Sequence, residues 1–100
     1  MPFDHVFPRS LTSISIRANA PEVSGIYGIS NAREWIYIGE TDNIRGTLLD
    51  HLQDFDTSVM KRQPTGFVFE VCGGVRRQAR QDRLVLEYEP TCNRHSTRHL

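Results

Sequence analysis

The clearest pattern along the chain is a pair of short apolar runs on either side of a polar loop. Residues 25–29 and 35–39 are rich in β-branched and aromatic side chains, and residues 30–34 between them have the composition of a turn. This pattern predicts a β-hairpin. Symmetric pairing across the loop sets Tyr27 opposite Tyr37, so that both phenols lie on one face of the sheet. Alternation sends three isoleucines to the other, apolar face: Ile26, Ile36 and Ile38.

Two later segments have the spacing of amphipathic helices. The sequence Thr-Asp-Asn at residues 41–43 is typical of a helix start, and the apolar positions after it predict a helix over 43–52. A second helix is predicted over 75–88, because a Gly-Gly pair precedes it and Pro90 stops it. The positions expected to face inward are Ile44, Leu48, Leu52 and Phe55 on the first helix, and Gln81, Leu84, Val85 and Tyr88 on the second.

Two further strands complete the predicted fold. Residues 67–72 form a β-branched and aromatic run after a Pro-Thr-Gly turn. Residues 11–17 alternate between apolar and polar side chains at a period of two, which predicts a short peripheral strand. The order of the main elements is therefore β-β-α-β-α. We expect a mixed α/β fold of the α+β type, in which helices flank a three-stranded antiparallel sheet centred on the strand of Tyr27.

Length and composition limit the class of protein. One hundred residues, 38% of them hydrophobic and 24% charged, are typical of one small globular domain over residues 1–100. No apolar run reaches the roughly 20 residues of a membrane span, and the N-terminus lacks a signal-peptide pattern, so we expect a cytoplasmic protein without a membrane partner. Cys72 and Cys92 are too few for a disulfide framework and are expected to be buried. The polar segment 94–100 is expected to be a peripheral tail.

The net charge of zero conceals an asymmetry between the two parts of the chain. Residues 1–60 contain four Arg and eight acidic residues, whereas residues 61–100 contain eight Lys or Arg and four acidic residues. Clustered cations attract phosphate backbones, although a neutral total argues against strong non-specific binding of nucleic acid. The last helix carries three arginines on its outer face: Arg76, Arg80 and Arg83. The alternative to nucleic-acid binding there is a solvated face on which Arg83 pairs with Glu87. The candidate binding residues are Arg45, Arg76, Arg77, Arg80 and Arg83.

Three motifs lie in a specific order on these elements. Residues 25–27 are Gly-Ile-Tyr, and after nine intervening residues, 37–39 on the second hairpin strand are Tyr-Ile-Gly. Residues 40–44, Glu-Thr-Asp-Asn-Ile, lead into the first helix, and residues 88–93, Tyr-Glu-Pro-Thr-Cys-Asn, follow the last. Together these motifs resemble those of the GIY-YIG nuclease family over about residues 21–93.

The resemblance implies the GIY-YIG fold and a hydrolase activity, the metal-dependent cleavage of phosphodiester bonds in DNA. In such endonucleases a hairpin tyrosine helps to activate water and an arginine early in the first helix stabilises charge on the phosphoryl group. A glutamate on a later helix holds one divalent cation, Mg²⁺ or Mn²⁺. Tyr27 and Tyr37 match the two tyrosine positions, and His51 matches a position that often holds an aromatic residue or histidine. DNA binding and DNA repair are the roles that this family implies.

Two positions depart from the family pattern. The arginine position falls on Thr47, four residues before His51 on the same helix face, and threonine cannot supply a cation. Arg45 lies about 200° away around the helix and is expected to point in nearly the opposite direction. The glutamate position falls on Gln81, whose neutral amide is a weak ligand for Mg²⁺. We expect one concave patch to contain Tyr27, Tyr37, Thr47, His51 and Gln81.

Other side chains are weaker candidates for metal binding. Glu40 and Glu70 are possible replacement carboxylates, but Glu40 lies at a helix entrance and Glu70 is expected to face solvent on an edge strand. Cys92, His95 and His99 have metal-ligand spacing, but a frayed terminus is the better interpretation of that segment.

Two classes of function remain open from the sequence. The first is a structure-selective or site-specific DNA endonuclease with weak or rebuilt catalysis. The second is a catalytically retired domain that binds nucleic acid or a protein partner without a cofactor. The paired loss of a cation at Thr47 and an anion at Gln81 leaves a neutral pocket, which favours a retired site. The sequence does not determine the oligomeric state.

Overall fold

The structure, a computed structural model, describes Phe3, residues 7–54 and residues 56–93. In chain order the elements are β1 (Arg9–Ser10), α1 (Ser13–Asn19), β2 (Gly25–Ser30), β3 (Trp35–Thr41), α2 (Ile44–Gln53), α3 (Ser58–Lys61), β4 (Gly66–Val71) and α4 (Arg76–Tyr88). The strands form one antiparallel sheet in the order β1-β4-β2-β3, so the strand of Tyr27 is central between β4 and β3. The predicted α+β fold is confirmed, and the two-residue strand β1 adds a fourth strand beside β4.

Helices cover both faces of the sheet, so both faces are buried. Helices α1 and α2 contribute to an apolar cluster on the face of Tyr27, and α4 packs on the opposite face against β3 and β2. Each fully buried Ile, Leu or Phe side chain contributes about 1.5–3 kcal/mol to stability. The first cluster contains Leu11, Ile16, Ala20, Tyr27, Ile29, Ile36, Ile44, Leu48, Val59 and Phe67, and the second contains Phe3, Ile26, Ile38, Val68 and Leu84.

The segment 11–17 is mainly helical, so the prediction of a strand there is wrong. Thr12 caps α1, because its hydroxyl oxygen accepts a hydrogen bond from the Ser15 backbone N–H at 3.1 Å. A strand would place Ile14 and Ile16 on one face, whereas in the helix Ile16 is buried and Ile14 is 81% exposed. The cap and the burial of Ile16 with Ala20, one helical turn apart, outweigh the alternating pattern.

The hairpin forms with a register that differs by two residues from symmetric pairing. Tyr27 pairs with Gly39, and Ile29 pairs with Tyr37. A shift of two residues leaves the faces of Tyr27 and Tyr37 unchanged, because side chains alternate with a period of two. Tyr27 and Tyr37 therefore share a face, as predicted, and their ring centroids are 6.0 Å apart.

An irregularity in the hairpin moves Ile36 to the other face. The register shifts between Ile29 and Ser30, and Ser30 pairs with Trp35. Ile36 packs in the cluster on the tyrosine face, so its predicted place beside Ile26 and Ile38 is wrong. A β-bulge has this effect because its extra residue breaks the alternation of faces.

The two long helices lie where the sequence predicts them. Asn43 caps α2 through its side-chain oxygen, which accepts a hydrogen bond from the Gly46 backbone N–H at 3.0 Å. Helix α4 ends at Tyr88, where Glu89 adopts a left-handed conformation (φ 50°) and Pro90 follows. Phe55, which was expected on the inner face of α2, lies outside the described residues.

The outer edge of β3 is covered by residues 91–93. The backbone N–H groups of Thr91 and Cys92 donate to carbonyls of β3 at 3.0 and 2.7 Å. The buried side chain of Asn93 accepts a hydrogen bond from the Ile38 N–H at 2.7 Å and donates one to the Ile38 carbonyl at 2.8 Å. The Asn93 amide thus takes the place of a neighbouring strand at Ile38.

Both cysteines of the chain are free thiols. Cys72 and Cys92 are half-buried, whereas the sequence predicted full burial. Within the described ranges, no helix is both long enough and apolar enough to cross a lipid bilayer.

Candidate functional site

Three ring side chains meet on the face of the sheet that α2 covers. Helix α2 brings His51 over Tyr27, and the Tyr27 Oη lies 3.0 Å from His51 Nε2, within hydrogen-bond distance. The ring centroid of His51 is 5.5 Å from that of Tyr27 and 6.0 Å from that of Tyr37. Tyr27 is buried, whereas Tyr37 and His51 are half-buried. We call these three residues the tyrosine–histidine cluster.

Gly39 makes room for both phenol rings. A Cβ atom at Gly39 would lie 2.7 Å from the Oη of Tyr27 and 2.7 Å from a ring carbon of Tyr37. Such distances are shorter than van der Waals contact, so a side chain here would displace at least one ring. The glycine that ends the Tyr-Ile-Gly motif is therefore explained by the packing of the cluster.

The tyrosine–histidine cluster is held in its uncharged form. Burial, followed by the neighbouring Tyr37, raises the pKa of the Tyr27 phenol well above its usual range. Burial also raises the pKa of Tyr37, and it lowers the pKa of His51. At neutral pH both phenols are therefore protonated and the imidazole is neutral. A proton can pass between Tyr27 and His51, but the local environment disfavours a phenolate.

A shallow depression of about 200 Å³ adjoins the cluster at His51. Thr47, Asp50 and Asp54 also line it, and both carboxylates are exposed. The Thr47 hydroxyl lies 2.6 Å from the Thr41 hydroxyl and forms a hydrogen bond with it. Among the described residues that line the depression there is no Lys or Arg. The predicted position of the family arginine thus holds a neutral hydroxyl pair beside two carboxylates.

Gln81 does not line this depression. It lies on α4, which packs on the opposite face of the sheet through Leu84, and it reaches the edge of β3. Its side-chain Nε2 donates a hydrogen bond to the Ile38 carbonyl at 3.1 Å. The structure therefore brings Thr47 and His51 together with the two tyrosines. It places Gln81 at the edge of β3, where its partner Ile38 is the residue after Tyr37. This placement follows from the packing of α4 on the sheet face that carries Ile26 and Ile38.

Arg45 points away from Thr47, as the helix geometry predicted. Its Nε donates to the Ala20 carbonyl at 2.8 Å, and its Nη1 lies 3.2 Å from the Glu22 carboxylate. These contacts fix the guanidinium on the loop that precedes β2. Arg45 therefore does not supply a cation to the depression at Thr47.

Two arginines of α4 form ion pairs with the strands. Arg77 binds the carboxylates of Glu40 and Asp42 at 2.9 and 2.7 Å. Arg80 binds both oxygens of Glu70 at 2.6 and 2.8 Å. The two side chains of the second pair are only 17% and 13% exposed, so the expectations that Arg80 shares the outer face and that Glu70 faces solvent are wrong. The remaining two candidate arginines of this helix are exposed: Arg76 and Arg83.

The residues at this site do not fit a carboxylate-bound magnesium ion. The predicted metal-ligand position holds the amide of Gln81, and the two alternative carboxylates, Glu40 and Glu70, are bound to arginines. Within the described part of the chain, no group of three His, Cys, Asp or Glu side chains is placed to hold a metal. His95 and His99 lie outside the described residues.

Sequence reasoning did not identify Thr41, Asp50 or Asp54 as parts of the site. Asp50 and Asp54 occur three and seven residues after Thr47, and helix positions with this spacing share a face. The face that was assigned to Thr47 and His51 therefore predicts both carboxylates. The contribution of Thr41 could not be found in this way, because its contact depends on where β3 ends relative to α2.

The half-buried imidazole of His51 should make stability depend on pH. Its folded-state pKa is lowered from the ordinary value of 6.5, so the unfolded chain binds a proton more readily than the folded chain. The stabilising contribution is therefore complete above about pH 6.5 and is lost as the pH falls from 6.5 towards the lowered pKa. In this window the free energy of unfolding should decrease by about 1 kcal/mol per pH unit through this group.

Urea denaturation at pH 7.5 and 5.5 tests this effect, with His51→Gln as the matched variant. Glutamine keeps a polar side chain but has no titratable ring, so the difference between the two pH values should become smaller. An unchanged difference would assign the pH dependence to other groups.

Similarity to known proteins is found in the three-dimensional structure and not by comparison of sequences. No protein-family model matches the sequence, and no curated protein matches it. The magnesium-bound GIY-YIG N-terminal endonuclease domain of UvrC from Thermotoga maritima aligns with a TM-score of 0.63 and 24% identity, over 76% of this chain and 92% of that chain. Two point mutants of that domain bound to its catalytic divalent cation align with the same TM-score, at 24% and 23% identity, over 76% of this chain and 91% and 92% of theirs. The chain therefore has the fold of a GIY-YIG endonuclease domain, as its motifs predicted.

Proposed function

We propose that this protein is a nucleic-acid-binding domain with a GIY-YIG fold whose phosphodiester-cleaving centre has been retired. The observation that carries this proposal is the uncharged tyrosine–histidine cluster beside a depression without a cation. The tyrosines and His51 keep the positions of the family motif, whereas the groups that would stabilise charge in the reaction are replaced. Nucleic acid is proposed as the ligand because the similar solved structures are endonuclease domains.

Activation of water by Tyr27 would be costly in this setting. The phenol can take a proton only after its own proton has moved to His51, and burial disfavours the phenolate that this step approaches. A nearby cation would compensate for that cost, but Thr47 forms a neutral hydrogen bond with Thr41. Asp50 and Asp54 would in addition repel the phosphate of a DNA strand from the depression.

The metal-ligand position has also acquired a structural role. The Gln81 amide donates to the Ile38 carbonyl, and a carboxylate cannot donate such a bond. Gln81 therefore supports the edge of β3 from α4. A glutamine that serves as a hydrogen-bond donor to the backbone is a poor replacement for an anionic metal ligand.

A paired cleavage and binding experiment tests the proposal. The purified protein is incubated with plain and branched duplex DNA in Mg²⁺ or Mn²⁺, and binding to the same labelled DNA is measured over a salt series. We expect binding that weakens with salt and no metal-dependent product above the protein-free control. Robust cleavage that is abolished by Tyr27→Phe would contradict the retired site, and absence of any binding would contradict the nucleic-acid ligand.

A further inference from the structure

A second depression lies at the loop between β2 and β3, away from the residues of the retired site. Its volume is about 280 Å³, and its lining includes Ser30, Arg33, Glu34 and Trp35. None of these residues belongs to the tyrosine–histidine cluster or to the depression at His51. We call this second feature the hairpin notch.

Ser30 contributes a hydroxyl group to the lining of the hairpin notch. The residue as a whole is only 4% exposed. Gly66 keeps the space near this hydroxyl free of a side chain, since a Cβ there would lie 3.6 Å from the Ser30 Oγ and 2.6 Å from the Pro8 Cβ. A serine hydroxyl in the lining can donate a hydrogen bond to an oxygen atom of a ligand.

Trp35 provides an aromatic surface whose ring is packed against two other aromatic side chains. Its ring centroid is 4.7 Å from that of Tyr88 and 6.1 Å from that of Phe3, and the side chain is only half-buried. A supported and partly accessible indole can stack on a planar ligand with little loss of side-chain freedom.

The loop itself is fixed by Asn31. The Asn31 Oδ1 accepts hydrogen bonds from the backbone N–H groups of Arg33 and Glu34 at 2.9 and 3.0 Å, and the Asn31 N–H donates to the Glu34 carbonyl at 3.0 Å. The side chain of Asn31 also donates to the Arg62 carbonyl at 3.0 Å. The backbone that carries Arg33 is therefore ordered before any ligand binds.

The hairpin notch carries one uncompensated positive charge. Arg33 is exposed, and among the described residues its guanidinium has no ion-pair partner. The Glu34 carboxylate is already occupied by Arg62 at 3.1 and 3.0 Å and by the Thr91 hydroxyl at 2.6 Å. The hydrogen bonds from the Arg62 guanidinium are the main cause that lowers the pKa of Glu34 to about 2. The ligand that suits this charge is an anion.

We propose that the hairpin notch binds one nucleotide of single-stranded DNA, with its phosphate on Arg33 and Ser30 and its base stacked on Trp35. A guanidinium and a hydroxyl recognise phosphate oxygens, and an indole face accepts any base. A base within a duplex is stacked on its neighbours and cannot reach the indole, so an unpaired nucleotide is the ligand. This inference rests on the proposed function as a nucleic-acid-binding domain, and it names the strand type and the site.

The fluorescence of Trp35 reports directly on this site, because Trp35 is the only tryptophan of the chain. The protein is titrated with an eight-residue oligothymidylate, with thymidine monophosphate and with inorganic phosphate. We expect saturable quenching by the oligonucleotide at the lowest concentration, weaker binding of the monophosphate and no quenching by phosphate. Equal affinity for the monophosphate and the oligonucleotide would overturn the assignment of a strand.

Substitutions in the lining of the notch separate this site from general charge effects. Arg33→Ala should weaken oligonucleotide binding about tenfold, and Ser30→Ala should weaken it about threefold. Arg17→Ala is the matched control, because Arg17 is an exposed arginine of α1 that does not line the notch, and its affinity should stay unchanged. If Arg33→Ala and Arg17→Ala bind the oligonucleotide as tightly as the unmodified protein, the inference is wrong.

The outcome can be distinguished from failure of the proposed function. DNA cleavage with normal Trp35 quenching would overturn the retired site and leave the hairpin notch in place. Salt-dependent binding of duplex DNA without Trp35 quenching by the oligonucleotide would overturn the notch and leave the proposed function in place.

Discussion

The double substitution Thr47→Arg with Gln81→Glu is expected to produce Mg²⁺-dependent nicking in a protein that otherwise leaves DNA intact. Arginine at position 47 would place a cation in the depression that adjoins the tyrosine–histidine cluster, and glutamate at position 81 would restore an anionic metal ligand. Loss of one charge-stabilising group typically costs on the order of 10²–10³ in rate. The double variant should therefore cut faster than the unmodified protein by at least about 10².

Either single substitution should have little effect on cleavage, because charge stabilisation and metal placement act as a unit. Nicking of supercoiled plasmid measures the activity, and calorimetry with Mg²⁺ alone reports metal binding independently of cleavage. Tyr27→Phe in the double variant is the control, and it should return the rate to background. If the double variant binds Mg²⁺ but does not nick DNA even weakly, the two replaced groups do not account for the lost activity.

Gly25→Ala is expected to cause the largest loss of stability among glycine substitutions in the hairpin. A Cβ atom at this position would lie 2.3 Å from the Glu70 carbonyl oxygen and 2.7 Å from the Ile44 Cδ1. The first contact is with the backbone of the neighbouring strand, which cannot move without breaking the pairing of β2 with β4. The free energy of unfolding should fall by about 3 kcal/mol, and the Tm on the order of 15 °C.

Gly73→Ala is the matched control for this experiment. A Cβ atom at Gly73 would meet only the Ser24 Oγ at 3.4 Å, an ordinary contact, and Gly73 does not have a positive φ. Its stability should change by less than about 0.5 kcal/mol. Thermal denaturation by circular dichroism compares both variants with the unmodified protein. Equal Tm values for the two variants would show that β4 adjusts to a side chain at position 25.

The sequence predicted correctly those features of the fold that depend on local side-chain patterns alone. In the hairpin, side chains alternate between the two faces, and a two-residue shift in register preserves this alternation. The shared face of Tyr27 and Tyr37 was therefore predicted correctly, although their direct pairing was not. The segment after Leu11 shows the opposite case. Its alternation is a local signal, but the Thr12 cap and the burial of Ile16 decide the conformation, and burial depends on the whole molecule.

The candidate site was predictable where it depends on one helix face and less so where it depends on packing between elements. Thr47 and His51 lie on the same face of α2 as expected, and that face also contains Asp50 and Asp54. The position of Gln81 depends on which face of the sheet receives α4. The helix periodicity shows that this residue faces inward, but not that it contacts the edge of β3.

The covering of β3 by residues 91–93 has a consequence for self-association. An uncovered edge strand can pair with the same strand of another copy, which is a common route to aggregation. Here the N–H groups of Thr91 and Cys92 and the amide of Asn93 occupy backbone groups of β3 that such pairing would use. The Asn93 side chain bonds to the N–H and the carbonyl of Ile38 but does not itself present a new strand edge. It therefore opposes edge-to-edge pairing with another molecule in addition to its role within the fold.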